Sequence, residues 1–225
     1  MKVLKRPLNI SRALTESFKY VVILPYFYGV INMRGKESTI IKYLIEHKNE
    51  ELNINRISKA LKMDYKNVHT IVKRLENASL VNIETFGQSC RVKLIPVMHP
   101  LVFEAEYLRR KDVLKNKDFA VMLSSFRKKI RSRLYIILLF GSYAKKTQRK
   151  ASDIDLMFIC PDGLEEPFEK DVTRVAGTMP LPLHPLVFSE SQYIEMIGAK
   201  EPNVGQEAFR HNIILYGIEQ FYGMI

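Results

Sequence analysis

The chain contains a continuous apolar run, Leu134–Phe140 (LYIILLF), that ends abruptly at Gly141-Ser142. A run of this length bounded by glycine suits one strand buried on both faces. The Gly-Ser pair opens a turn toward a following helix. Backbone N–H groups at such a turn can receive phosphate oxygens, and the Ser142 hydroxyl adds a donor. A second apolar run, DIDLMFIC, begins at Asp153. On a strand, Asp153 and Asp155 would point to one face. Two neighbouring carboxylates with no Lys or Arg between them repel unless a cation joins them. Hard divalent ions, Mg²⁺ or Mn²⁺, suit carboxylate plus phosphate oxygens.

Gly141, Ser142, Ala144 and Lys145, followed by Ser152, Asp153, Asp155 and Leu156, resemble the signature of the DNA polymerase beta-type nucleotidyltransferase superfamily. That signature reads G-S, a small and a basic residue, then roughly ten residues to D-x-D. The resemblance implies an α/β (α+β) domain with a small mixed sheet and flanking helices. It also implies that Asp153 and Asp155 are the catalytic, metal-holding carboxylates, with metal ions that activate an acceptor hydroxyl and steady a pyrophosphate leaving group. Gly141 and Ser142 would grip the phosphates of an NTP, with ATP the first choice, and Lys145 or Lys146 would neutralise phosphate charge. Two features depart from the pattern. Lys146 stands where many small members have Gly. The third carboxylate, which active members usually carry on the next strand, has no counterpart in Leu183–Phe188 (LHPLVF), where His184 takes a comparable position. Asp162 and Glu190 lie just past strand ends, away from the family's placement.

Taken singly, Gly-Ser after a strand is an ordinary turn and D-x-D is common on surfaces; their joint spacing between two apolar runs carries the reading. His184 beside Pro185 reads by itself as a packed or surface side chain. Lys145, Lys146, Arg149 and Lys150 read by themselves as a solvated loop.

With 225 residues and 47% hydrophobic content the chain can build two modest domains with real cores. Its 35 Lys and Arg against 24 Asp and Glu give a formal charge of +11, which points to nucleic acid or another polyanion. Cys90 and Cys160 lack metal-ligand spacing and fall in separate segments, so neither a disulfide framework nor a zinc site is indicated, and a reducing cytoplasm is expected. No signal peptide is evident, and Val21–Met33, interrupted by Pro25, falls short of a membrane span.

A second organised region precedes the Gly-Ser turn. Ser38–His47 has a candidate capping Ser and a stripe of Ile40, Ile41, Leu44 and Ile45. A short helix is expected over Ile57–Met63. Asp64 then offers an N-cap to a helix over Tyr65–Ala78 that buries Val68, Ile71, Val72 and Leu75. Leu80–Phe86, a Gly87 turn and Cys90–Ile95 read as a hairpin carrying Arg91 and Lys93. This order over residues 37–97 resembles the winged helix-turn-helix domain of bacterial and archaeal regulators, whose last helix enters the DNA major groove. By that likeness Tyr65, Lys66, Asn67, Thr70 and Lys73 would face DNA, with Asn67 reading bases, the lysines on phosphate, and Arg91 and Lys93 on the wing. The bland alternative is a winged helix used for protein contacts.

Residues 98–117 read as a connecting helix and 118–225 as the nucleotidyltransferase domain, with an entry helix over Phe119–Arg133. Helices are expected over Glu165–Met179 and Ser191–Ala199, and one long helix over Asn203–Met224. Residues 1–36 form an N-terminal arm whose apolar segment Tyr20–Val30 would suit homodimer contacts. Three functions are consistent with these readings. One is a metal-dependent nucleotidyltransferase with a winged helix that holds DNA or RNA. Another is a DNA-binding regulator whose nucleotidyltransferase-like domain senses nucleotide. The third is a scaffold in which both domains serve assembly and bind neither nucleotide nor DNA.

Overall fold

The structure, a computed structural model, describes residues 35–86 and 89–225. The expected apolar arm and the Gly87 turn lie outside the described residues. Three helices open the described chain: α1 (Lys36–Glu46), α2 (Ile54–Leu61) and α3 (Tyr65–Asn77). They bury Ile40, Ile41, Leu44, Ile57, Val68, Val72 and Leu75 against one another. Ser38 does not cap α1. It lies inside the helix, fully buried, and its hydroxyl donates to Glu104 Oε2 at 2.5 Å. The turn between α2 and α3 is closed by Lys62 in the left-handed region (φ 52°) and by the Ser58 hydroxyl donating to Met63 O at 2.8 Å. Asp64 caps α3 as its sequence position predicts, accepting from Asn67 N at 3.2 Å.

Strands β1 (Val81–Phe86) and β2 (Ser89–Leu94) form an antiparallel hairpin in the register Val81↔Leu94 to Phe86↔Ser89. Leu52 O accepts from Val92 N at 2.7 Å, so the segment before α2 joins the edge of this hairpin. Helix α4 (Pro100–Val113) starts with Pro100 at its first position, behind His99 as N-cap, and packs on α1 and on β6 (Ile213–Tyr216). Residues 36–225 make one contact unit that contains the three-helix region, the hairpin and the sheet beyond them.

The second half is built on a mixed sheet, four-stranded among the described residues, in the order β5-β4-β3-β6. It joins β3 (Ile136–Leu139), β4 (Ile154–Cys160), β5 (Leu183–Ser189) and β6. Pairs β3–β4 and β3–β6 are antiparallel and β4–β5 is parallel. One face, with Ile137, Leu139, Leu156, Phe158 and Leu215, packs on Met122 and Phe126 of α5 (Lys117–Lys129) and on Phe168 and Val172 of α7 (Glu165–Ala176). The opposite face carries Leu138, Met157, Ile159 and Ile214, all buried. It is covered by α8 (Glu190–Gly198) and α10 (Ile218–Met224), which bring Tyr193 and Phe221 within 6.4 Å of each other.

The long helix expected over Asn203–Met224 is instead a helix α9 (Val204–Arg210), the strand β6 and α10. Ile213, Ile214 and Leu215 make an apolar stripe for either structure, and β3 decides between them by supplying a strand edge. Gly217 ends β6 at φ +79°, where an added Cβ would lie 2.7 Å from Tyr135 O, so the chain turns tightly there and restarts as α10. No helix among the described residues is long and apolar enough to cross a membrane.

Candidate functional site

β3 delivers the chain to Gly141, and the backbone fixes this exit: Phe140 N donates to Asp155 O at 3.1 Å. Gly141 takes φ +64°, and a Cβ built there would lie 2.2 Å from Asp155 Oδ2 and 3.0 Å from its Cγ. The turn and the second carboxylate are therefore in contact, and only glycine combines the left-handed backbone with the missing side chain. The short helical turn α6 (Gly141–Ala144) comes next, closed by Lys145 N donating to Gly141 O at 3.1 Å and Thr147 N to Ser142 O at 2.9 Å. Tyr143 anchors it edge-on to Phe119, 5.5 Å between centroids. The first N–H groups of a helical turn have no intrahelical acceptor, so those at Gly141 and Ser142 are the donors a phosphate would use. Lys146 sits at φ +58°, a left-handed conformation that favours glycine.

Asp153 and Asp155 do not share a strand as their spacing predicts. Asp153 precedes β4 and is exposed, whereas Asp155 lies within β4 with 26% of its side chain exposed. Ser152 shapes the approach, its hydroxyl accepting from Arg149 N at 2.8 Å. The parallel register places His184 of β5 opposite Asp155, and His184 Nδ1 lies 3.1 Å from Asp155 Oδ1. His184, 58% exposed at its side chain, is thus a surface residue as expected, yet it stands against the central carboxylate. Asp162 is committed elsewhere: it accepts from Ser191 N at 3.0 Å and Ser191 Oγ at 2.8 Å, and these bonds hold its carboxyl below the usual range. Glu190 is the exposed first residue of α8.

Among the described residues no group of three His, Cys, Asp or Glu side chains converges on a metal-sized point. Asp153 and Asp155 still offer the hard oxygen donors that Mg²⁺ or Mn²⁺ takes. By donor chemistry these two residues would hold such an ion only in part, and further oxygen donors would have to come from a ligand or water. A bound ion would neutralise phosphate charge and acidify an attacking hydroxyl.

Lys145 and Lys146 differ in their partners. Lys145 Nζ is held by Glu207 Oε1 of α9 at 2.7 Å, a partner that nothing in the local sequence announced. Both lysines line a cleft formed with the α1–α2 connection and the end of α9.

On the other half of the molecule, Tyr65, Lys66, Asn67, Thr70 and Lys73 are all exposed on α3. Thr70 donates its hydroxyl to Lys66 O at 2.9 Å, and Lys73 pairs with Glu76 at 2.8 Å. Tyr65 and His69 are stacked neighbours, 6.3 Å between centroids. Arg74, which also lies on the exposed side, is drawn to the buried Glu37 of α1 at 2.9 Å. On the hairpin, Arg91 pairs with Glu51 at 3.2 Å and Lys93 with Glu84 at 2.9 Å.

The sequence pattern of the family "Polymerase beta, Nucleotidyltransferase" matches residues 122–220, which span the Gly-Ser turn, both aspartates and the sheet. No curated protein sequence matches the chain. Solved structures similar to it include MepR, a transcription regulator of the Staphylococcus aureus multidrug efflux pump MepA, at 16% identity over 50% of this chain and 78% of MepR, TM-score 0.31. A toxin-antitoxin crystallised with AMP-PNP is 20% identical over 46% of this chain and 77% of that one, TM-score 0.33. The heme sensor protein PefR from Streptococcus agalactiae is 19% identical over 53% of this chain and 80% of that one, TM-score 0.30. At such TM-scores these neighbours say nothing about this chain's ligands. Residues 122–220 thus match the nucleotidyltransferase family of the polymerase beta type, and they follow three helices closed by a two-stranded hairpin, the element order of a winged helix-turn-helix.

Proposed function

We propose that the chain binds a nucleoside triphosphate with a divalent cation between the Gly141–Ser142 turn and the Asp153/Asp155 pair. There it transfers the nucleoside monophosphate to an acceptor hydroxyl, while the winged helix holds DNA. The observation that carries this reading is the contact of Gly141 with Asp155, in which the Gly-Ser turn and the Asp155 carboxylate stand against each other with no room for a Cβ. A turn that served only to reverse the chain would have no need of that closeness. In support of DNA as the ligand of the winged helix, Tyr65, Lys66, Asn67 and Thr70 are exposed on one helix, and the chain carries a charge of +11.

The first test is calorimetry with ATP, GTP, CTP and UTP in Mg²⁺, comparing wild type with Asp153→Asn/Asp155→Asn. Binding that needs both the metal and the aspartates supports a working site, and α-labelled nucleotide then reveals the acceptor. Failure of all four nucleotides to bind would sink the reading.

A second reading is favoured by His184, which stands beside Asp155 where the family resemblance puts a third acid. In it the domain senses nucleotide for a DNA-binding regulator and transfers nothing. His184→Asp separates the two. In the regulator reading the wild type shows no transfer and the variant gains it, whereas an active wild type refutes that reading outright.

A further inference from the structure

The C-terminal end of the Gly-Ser turn borders a separate feature. Between the α1–α2 connection, α6, α4 and the end of α9 lies a cleft of 290 Å³, small beside typical small-molecule pockets. Its cations come from four places in the sequence: Lys48 after α1, Arg109 on α4, Lys145 and Lys146 after α6, and Arg210 at the end of α9, with His211 beside it.

The lining is unbalanced. Two carboxylates face it, Glu46 and Glu50, and Glu50 is engaged with His47 and Arg56. Lys145 has Glu207, and Arg109 has Glu106 at 2.6 Å. Among the described residues Lys48, Lys146 and Arg210 have no carboxylate at ion-pair distance. Lys48 extends an exposed stem but tucks its ammonium against Phe209 O, 5.1 Å above the Phe209 ring. Arg109 is only 7% exposed, and its Nε is buried without a partner.

Positive potential is concentrated enough to act on its own members. Desolvation, then the charge of Arg109, brings the Lys48 ammonium down to about 8, with Glu106 opposing. His211 is lowered by desolvation and then by Lys145 and Lys48. Convergent cations in a partly desolvated recess, one of them with an unused buried N–H, match a compact ligand of high negative charge.

We propose that this cleft is a second anion site, taking inorganic pyrophosphate or the polyphosphate tail of a nucleotide, held by Lys48, Lys146 and Arg210 across the junction of the winged helix and the nucleotidyltransferase domain. Lys48 belongs to the winged-helix side, so the site uses both halves of the chain. Its ligand needs neither Asp153 nor Asp155 and no divalent ion. The connection that carries Lys48 runs on to Glu51 and Leu52, which pair with Arg91 and Val92 of the wing, so an anion here abuts the segment that supports β2.

The test uses the full chain with Asp153→Asn/Asp155→Asn in excess EDTA, which removes metal-dependent binding at the other site. Pyrophosphate, ATP and AMP are titrated by calorimetry. One mole of pyrophosphate or ATP per chain should bind, AMP much more weakly, and Lys48→Ala/Arg210→Ala should lose about 10-fold or more in affinity. Lys170→Ala, an exposed residue of α7 that does not line the cleft, should change nothing, and circular dichroism shows whether each variant is folded. Lys146→Ala gives a second, independent reading on an exposed residue. Tighter binding of pyrophosphate than ATP assigns the free anion, and equal binding assigns the nucleotide tail. Absence of metal-free binding by both, or binding indifferent to Lys48, Arg210 and Lys146, overturns the proposal. Because the aspartates are already removed, this outcome is separable from failure of the transferase reading.

Discussion

Gly141→Ala is the substitution for which the structure gives the largest consequence per atom added. The alanine must adopt φ +64°, which costs about 1–2 kcal/mol for an L-residue. Its Cβ would also stand 2.2 Å from Asp155 Oδ2, so the carboxylate must move by about 1 Å or the turn must lift by a similar amount. Swinging Asp155 off its rotamer by about 30° adds roughly 0.5–1.5 kcal/mol. It also breaks the alignment with His184 Nδ1 at 3.1 Å. The sum is a loss of about 1.5–3.5 kcal/mol in stability. Under the proposed function, a misplacement of Asp155 by about 1 Å should cost about 100-fold in transfer and weaken Mg²⁺–nucleotide binding. Urea unfolding followed by circular dichroism reads the first effect and calorimetry the second. Combining Gly141→Ala with Asp155→Ala separates the parts, because removing the carboxylate relieves the clash and leaves the backbone cost of about 1–2 kcal/mol. Gly141→Ala within about 0.5 kcal/mol of wild type, with unchanged nucleotide binding, would refute the idea that turn and carboxylate form one site.

Three further outcomes are expected. On a DNA duplex chosen by selection, Lys66→Ala should lower the slope of log affinity against log salt by about 1, and Asn67→Ala should cost about 1–3 kcal/mol and relax sequence preference; anisotropy titrations in a KCl series decide, and unchanged slopes would move DNA off α3. Arg109→Leu should destabilise by about 3–5 kcal/mol in urea, since it strands Glu106, 1% exposed, with the Tyr222 hydroxyl at 2.9 Å as its remaining side-chain donor; a loss below about 1 kcal/mol would mean that the pair contributes little. Pyrophosphate affinity should fall as pH rises through about 8, because the Lys48 ammonium, faced by Arg109 and Glu106 from α4 and by Arg210 and His211 at the end of α9, loses its proton there. Lys48→Met should flatten that profile, and a profile unchanged by Lys48→Met would assign the titration elsewhere.

Features decided by neighbours in the chain were legible in the sequence. The apolar runs ending at Gly141 and starting at Ile154 are strands because their length and composition allow little else, and Asp64 caps α3 through a bond to a backbone N–H three residues away. The exposed face of α3 followed from the 3.6-residue period that buries Val68, Ile71, Val72 and Leu75. Features that depended on distant partners were not legible. Ile213–Tyr216 has the composition of a helical stripe and became a strand because β3, nearly eighty residues earlier, offered an edge. Ser38 has the chemistry of a cap and is instead bonded to Glu104 across the α1–α4 contact. Asp153 and Asp155 could be paired from their spacing, but the placement of one before β4 and the other within it, touching Gly141 and His184, required the sheet register. Likewise Lys48, Arg109, Lys146 and Arg210 carry no shared motif and meet because the winged helix and the sheet domain pack together. Sequence thus determined the elements and the chemistry each could offer, since backbone preference and capping act over a few residues. Tertiary structure alone decided which of those groups would stand within bonding distance, because burial and strand pairing are satisfied only by the whole chain at once.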